Sequence, residues 1–76
     1  MKTTKKKYLL ENLGCAVCAA KMEEAVSRLE GVKSAAVSFI TKKLTIEAEE
    51  EAHDAIFSKA AAICQKIEPD CILKTL

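Results

Sequence analysis

Hydrophobic and polar residues alternate along four short stretches of the chain, at residues 6–11, 32–39, 44–48 and 71–76. Successive side chains of a β-strand point to opposite faces of a sheet, so this period of two predicts four strands. The second and third stretches are separated by a short polar turn, residues 41–43, which predicts a hairpin between them.

Two longer segments have the apolar spacing of amphipathic helices. The first runs from about Ala16 to Glu30 and ends at Gly31, a residue type that commonly follows a helix. The second begins with acidic residues at 49–54, which complement the positive end of a helix, and stops before Pro69. The buried stripe predicted for the second helix comprises Ile56, Ala60, Ile63 and Ile67, with Phe57, Ala61 and Cys64 beside them.

The elements follow the order β-α-β-β-α-β, which predicts an α+β, ferredoxin-like fold with two helices on one face of a four-stranded antiparallel sheet. We expect one domain, residues 1–76, with a core of about residues 7–73. Because successive elements run in opposite directions, the connection 67–71 should lie at the end of the fold where the first strand ends. The acidic residues 49–51 should lie at the opposite end, together with His53, which we expect to be exposed.

Composition narrows the classes of function. The chain has 76 residues and a net charge of +1, with 50% hydrophobic and 4% aromatic residues, which does not fit a strongly basic nucleic-acid binder or an elaborate enzyme. We interpret the lysines at 2 and 5–7 as a solvated arm before the first strand. No signal peptide and no membrane span is evident, so we expect a cytoplasmic, monomeric binding module with no nucleic-acid partner and no direct membrane insertion.

The motif Cys-Ala-Val-Cys, from Cys15 to Cys18, stands where the first strand gives way to the first helix. Two cysteines three positions apart at a helix start can direct both sulfur atoms to one point, which suits two ligands of a soft or borderline metal ion. Gly14 is expected to let the backbone turn tightly before them. The helix N-terminus stabilises thiolates, so the motif fits a metal site or a redox pair.

Further candidate ligands follow from the predicted topology, which brings Glu68 and Asp70 to the thiol end. Two thiolate ligands suffice to bind Cu(I), whereas Zn(II) and Cd(II) usually take about four donor atoms and accept carboxylate oxygen. Glu68 is therefore a candidate third ligand, and Asp70 is more readily explained as a solvated turn residue. Cys64 and Cys71 are expected to be small core residues, although a four-cysteine structural zinc site remains an alternative.

The segments 13–21 (LGCAVCAAK) and 29–32 (LEGV) resemble the heavy-metal-associated domain. That family comprises small cytosolic metallochaperones and the N-terminal metal-binding domains of heavy-metal P-type ATPases. The resemblance implies a ferredoxin-like fold, with Cys15 and Cys18 as the metal ligands and Leu13 as a buried residue that supports their loop.

The last loop, Lys66–Asp70, is more similar to zinc, cadmium and lead exporters of bacteria than to copper-type members, many of which carry Gly-Tyr or Gly-Phe there. Many of these exporters have an acidic residue where Gly14 stands. Our hypothesis is therefore a module that binds Zn(II), Cd(II) or Pb(II) and passes the ion to other domains of an ATPase or to a partner metal-binding domain. The alternatives are a free Cu(I) metallochaperone, a thiol-disulfide oxidoreductase and a structural zinc domain.

Overall fold

A computed structural model describes residues 2–75 of the chain. Its regular elements are β1 (Thr3–Glu11), α1 (Ala16–Ser27), β2 (Val32–Ser38), β3 (Lys43–Glu49), α2 (His53–Ile67) and β4 (Ile72–Thr75). A short 3-10 helix, Glu50–Ala52, leads into α2. The strands form one four-stranded antiparallel sheet in the order β2-β3-β1-β4. The predicted ferredoxin-like fold is confirmed.

One face of the sheet is buried, and β3 shows why. Leu44, Ile46 and Ala48 are fully buried, while the polar residues between them are only partly covered. The two helices pack against the buried face, and removal of this apolar surface from water provides the main stabilising free energy. The buried apolar side chains are Tyr8, Leu10, Leu13, Ala19, Met22, Val26, Leu44, Ile46, Ala48, Ile56, Ala60, Cys64, Cys71 and Leu73.

The first and last strands of the chain differ in extent from the prediction. β1 begins at Thr3, so the lysines at 5–7 belong to a strand paired with β3 and do not form an arm before it, although their side chains are exposed as expected. β4 is confirmed over Ile72–Thr75, and its predicted end at Leu76 lies outside the described residues.

The first helix is shorter than predicted, because it ends at Ser27 and not at Glu30. After Ser27 the chain tightens into i to i+3 hydrogen bonds, in which the Leu29 N–H donates to the Val26 carbonyl at 3.1 Å. Gly31 then adopts a φ of +92°, a conformation that glycine tolerates best.

His53 is buried, and the prediction that it would be exposed was wrong. Its side chain is 1% exposed and lies on the inner face of α2, in line with Ile56, Ala60 and Cys64. The His53 Nε2 atom lies 3.0 Å from the carbonyl oxygen of Thr4, which can only accept, and 3.0 Å from its hydroxyl oxygen. The physical reason is that residue 53 falls on the same face of α2 as the buried residues Ile56, Ala60 and Cys64, where its ring meets Thr4 at the start of β1.

The loops that join the strands and helices lie at the two ends of the sheet, as predicted. At the thiol end, the Asn12 side-chain amide donates to the Asp70 carbonyl at 3.3 Å, and the Leu10 N–H donates to the Lys42 carbonyl at 2.8 Å. At the opposite end, the Glu50 N–H donates to the carbonyl of residue 2 at 3.1 Å. Within residues 2–75 neither helix is long and apolar enough to cross a membrane.

Candidate metal centre

The loop that carries the thiols is shaped by Asn12 and Leu13. Asn12 adopts a φ of +67°, which asparagine tolerates better than most residues, whereas Gly14 does not take a positive φ. The tight turn expected at Gly14 therefore falls at Asn12. Leu13 is 3% exposed and anchors the loop in the core, which agrees with the supporting position that the resemblance implied.

Cys15 caps the first helix with its sulfur atom. Its Sγ accepts a hydrogen bond from the Cys18 N–H at 3.2 Å, and its carbonyl accepts from the Ala19 N–H at 3.0 Å. The sulfur thus occupies the position where serine, threonine or aspartate usually caps a helix. Both thiols are partly exposed, so an incoming ion or thiolate can reach them.

The two thiols differ in acidity. The pKa of Cys15 is lowered by a hydrogen bond from the Cys18 side chain and by the backbone N–H groups of Cys18 and Val17. The pKa of Cys18 is raised, because its thiol donates to Cys15 and because burial and nearby negative charge disfavour its thiolate. Of the two thiols, Cys15 therefore loses its proton more readily than Cys18.

Glu68 approaches the thiols from the loop between α2 and β4. Its backbone is fixed on both sides, because its N–H donates to the Cys64 carbonyl and its carbonyl accepts from the Cys71 N–H, each at 2.9 Å. Its Oε2 atom would lie 3.9 Å from a Cβ atom placed on Gly14. Its negative charge contributes to raising the pKa of Cys18 and opposes the lowering of the pKa of Cys15.

The carboxylate of Glu68 is incompletely satisfied. Its Oε1 atom is buried and has no hydrogen-bond partner. Within residues 2–75, no three histidine, cysteine, aspartate or glutamate side chains are already arranged to hold one metal ion. A Glu68 rotamer change would therefore be needed before the carboxylate and both thiols could bind the same ion. Asp70 is exposed, and its contact with Asn12 is made by its backbone carbonyl.

The other two cysteines are core residues, as predicted. Cys64 and Cys71 are both 0% exposed. Burial raises the pKa of Cys64 to about 12, and burial followed by the charge of Glu68 raises the pKa of Cys71. The structure does not bring these two thiols together with Cys15 and Cys18 in a four-cysteine cluster.

Cys15 and Cys18 are both partly exposed, and neither lines either of two cavities within residues 2–75. A cavity of about 470 Å³ occurs elsewhere, between β1, α2 and the end of β4, where it is lined by Tyr8, Phe57 and Asp54 among others.

Comparison with known proteins adds independent findings. The family model of the heavy-metal-associated domain matches residues 7–70. The chain is 30% identical over 69 residues to the cadmium, zinc and cobalt-transporting ATPase of Bacillus subtilis, a match that covers 91% of this chain and 10% of the ATPase. The chain spans a tenth or less of the length of the curated relatives that it matches.

Solved structures of both copper and zinc domains share the fold. The N-terminal domain of a potential copper-translocating P-type ATPase from Bacillus subtilis, in its Cu(I)-loaded state, is 28% identical, with a TM-score of 0.77 over 97% of this chain and 88% of that domain. The N-terminal domain of ZntA in its apo form is 29% identical, with a TM-score of 0.74 over 99% of this chain and 94% of that domain. The Zn(II) form of the ZntA domain gives a TM-score of 0.71 at 29% identity, over 95% of this chain and 90% of that domain.

Proposed function

The chain belongs to the heavy-metal-associated domain family, and on that basis we propose that it binds a heavy-metal ion through Cys15 and Cys18 and passes the ion on by ligand exchange. The ion is cargo and not a permanent cofactor. The partly exposed thiols support this proposal, because a partner thiolate can enter the coordination sphere before Cys15 or Cys18 leaves it.

The unequal acidity of the pair suggests the order of events at the site. Cys15, whose pKa is lowered, is the first ligand to meet the ion. The cation then favours loss of the Cys18 proton, since a coordinating thiol binds as its thiolate. Release of the ion reverses the order, and Cys18 regains its proton.

We propose Zn(II), Cd(II) or Pb(II) as the cargo, and the observation that carries this choice is the Glu68 carboxylate next to Gly14 in the thiol loop, whose buried Oε1 atom has no hydrogen-bond partner. A carboxylate oxygen can serve as an additional ligand for a divalent ion, which usually binds more than two donor atoms. The Bacillus subtilis relative, which is named as a cadmium, zinc and cobalt transporter, supports the same choice. Cu(I) is the second candidate, because two thiolates suffice for it and because the similar copper-translocating ATPase domain was solved with Cu(I).

We further propose that the chain acts as the N-terminal, cytoplasmic metal-binding domain of an ATP-driven exporter. By itself it is a binding module, and its partners are the transmembrane and ATPase domains of the transporter or another metal-binding domain. The similarity to the cadmium, zinc and cobalt-transporting ATPase of Bacillus subtilis and to the N-terminal domain of ZntA supports this proposal. The alternative of a free metallochaperone differs in partner and not in the chemistry at Cys15 and Cys18.

The ligand assignment is tested by paired double variants. We expect Cys15→Ser with Cys18→Ser to abolish stoichiometric binding of Zn(II), Cd(II), Pb(II) and Cu(I) in competition with chelators of known affinity. The matched control, Cys64→Ala with Cys71→Ala, removes two buried thiols and should keep metal affinity. It should lower the free energy of unfolding by about 1 to 3 kcal/mol through lost packing.

Retention of full affinity by the Cys15 and Cys18 variant would refute the site. A disulfide-reductase turnover that matches a dedicated oxidoreductase would instead favour redox function.

A further inference from the structure

Large apolar side chains are exposed at the thiol end of the fold. Val17, between the two cysteines, is 64% exposed, and Ile40, in the turn between β2 and β3, is 91% exposed. Phe39 in the same turn is 36% exposed. The turn lies next to the end of β1, because the Lys42 carbonyl accepts from the Leu10 N–H. An isoleucine this exposed contributes nothing to the core, so stability does not explain it.

A shallow cavity adjoins this turn on the face of the sheet that the helices leave uncovered. Its volume is about 270 Å³. The lining combines two lysine side chains with three hydroxyl side chains, from Lys7, Lys43, Ser38, Thr41 and Thr45, together with Ala36 and Val37. Such a cavity offers positive charge and hydrogen-bond donors at its walls, with the exposed Ile40 beside it.

Neither lysine of this cavity has an acidic residue directly opposite it in the sheet, in contrast to an earlier lysine of β1. Lys5 lies directly opposite Glu47 on β3, whereas Lys7 lies opposite Thr45. Lys43 lies opposite Leu9 on one side and Ser38 on the other. Among residues 2–75 the ion pairs are Arg28 with Glu24 and Lys74 with Glu11, so neither cavity lysine is neutralised by one.

Lys42 adds to the positive charge of the turn. Its Nζ atom lies 3.6 Å from the centre of the Phe39 ring, a cation–π contact that holds the ring and the ammonium group together at the surface. Apolar surface and unneutralised positive charge are therefore combined in one place.

We propose that this turn surface, formed by Phe39, Ile40, Lys42, Lys43 and Lys7, docks an acidic protein segment that carries an apolar side chain. Carboxylates of the partner enter the cavity between Lys7 and Lys43, and its apolar side chain covers Ile40. Charge complementarity identifies the partner as acidic. A protein segment fits better than a nucleic acid or a membrane, because the basic area is one small cavity in a chain of net charge +1.

The position of the turn surface is relevant to metal transfer. A partner held on the turn lies at the end of the sheet that carries Cys15 and Cys18, so that its own metal ligands are brought close to them. This use rests on the proposed function, whereas the docking itself does not.

The probe is a synthetic peptide in which two leucines stand among six glutamates, titrated into the isotope-labelled full chain and followed by amide chemical shifts. We expect the shift changes to centre on Ile40, Thr41 and Lys43. Lys7→Gln combined with Lys43→Gln should weaken peptide binding about three- to tenfold, and Ile40→Ser about fivefold, since a few favourable contacts dominate such surfaces. Binding should weaken in 0.5 M salt.

Three controls make the proposal refutable. Lys5→Gln removes the same charge from the same strand but next to Glu47, and it should leave peptide binding unchanged. A peptide with lysine in place of glutamate should not bind. Vesicles of phosphatidylglycerol test a lipid surface in place of a protein segment, and the chain should not bind them.

The proposal is overturned if the shift changes lie elsewhere, if Lys5→Gln weakens binding as much as Lys7→Gln does, or if the lysine peptide binds equally. Vesicle binding that depends on Lys7 and Lys43 would also overturn it. Zn(II) affinity should be the same in the wild type, in Ile40→Ser and in the lysine variants. Failure of docking with unchanged Zn(II) affinity would therefore leave the metal function standing.

Discussion

Replacement of Glu68 by alanine separates the candidate metal ions. The Glu68 carboxylate lies next to the thiol loop, with its Oε2 atom 3.9 Å from a Cβ atom placed on Gly14, and its Oε1 atom has no hydrogen-bond partner. Zn(II) and Cd(II) accept such an oxygen as a ligand, whereas two thiolates satisfy Cu(I). We expect Glu68→Ala to weaken Zn(II) and Cd(II) binding by about tenfold or more, a size typical for the loss of a supporting group at a metal site. Cu(I) binding should not weaken.

Two opposing effects set the size of the affinity change in Glu68→Ala. Loss of an oxygen donor costs about 1.4 kcal/mol for each factor of ten in affinity. Against this, the negative charge of Glu68 raises the pKa of Cys18 and opposes the lowering of the pKa of Cys15, so its removal makes both thiolates easier to form. The second effect helps every ion alike, but the first penalises only ions that use the oxygen. The ratio of Zn(II) to Cu(I) affinity is therefore the informative quantity.

The metal-free protein provides a separate check on Glu68. A buried acceptor without a hydrogen bond is unfavourable in the folded state, so its removal should leave the free energy of unfolding unchanged or raise it by up to about 1 kcal/mol. Urea unfolding in the presence of chelator measures this value. A clear loss of stability would mean that Glu68 supports the loop, and the affinity change could then not be assigned to a lost ligand.

The assay is a competition titration of each ion against a chelator of known affinity, at one pH, for wild type and variants. Glu68→Gln keeps the shape of the side chain but removes the charge, and it should resemble Glu68→Ala for Zn(II). Asp70→Asn is the matched control, because Asp70 is an exposed acid in the same turn. Unchanged Zn(II) and Cd(II) affinities would refute ligation by Glu68, and an equal fall for Cu(I) would reassign Glu68 to loop geometry.

Three further expectations concern the thiols and the core. The metal-free chain should keep its circular dichroism spectrum in excess chelator, because its core assembles without a metal, and unfolding on chelation would support a structural zinc site instead. Iodoacetamide should alkylate Cys15 before Cys18 near neutral pH, because the pKa of Cys15 is lowered and that of Cys18 is raised. Peptide mass spectrometry of partly modified protein measures the order, and alkylation of Cys18 first would contradict the expectation. His53→Ala should lower the free energy of unfolding by about 1 to 3 kcal/mol, because it removes a fully buried side chain and its hydrogen bonds. An unchanged midpoint of urea unfolding would contradict the observed packing.

Most of the architecture follows from the sequence, because it depends on local periodicity. The alternation of Leu44, Ile46 and Ala48 identifies a half-buried strand without reference to any distant residue. The order of elements and the short connections then leave few topologies, and the ferredoxin-like arrangement is among them. That topology places Glu68 near Cys15 although they are distant in sequence, and the structure confirms this neighbourhood.

Side-chain environments were harder to predict because they depend on neighbours from several elements. His53 follows a run of acidic residues, which suggested an exposed position, but it lies on the buried face of α2 and its ring contacts Thr4 of β1. The cap formed by the Cys15 sulfur, and the resulting difference in acidity between Cys15 and Cys18, depend on atomic geometry that the sequence does not give.

The sequence by itself therefore determined the elements, their order and the pair of thiols, since these arise from residue spacing along the chain. Only the tertiary structure decided that Glu68 carries an unpartnered oxygen beside those thiols, that Cys64 and Cys71 stay apart from them in the core, and that Ile40 is exposed at their end. Burial and electrostatics at any one atom are sums over neighbours from several elements. Those neighbours are brought together only when the sheet and both helices have packed.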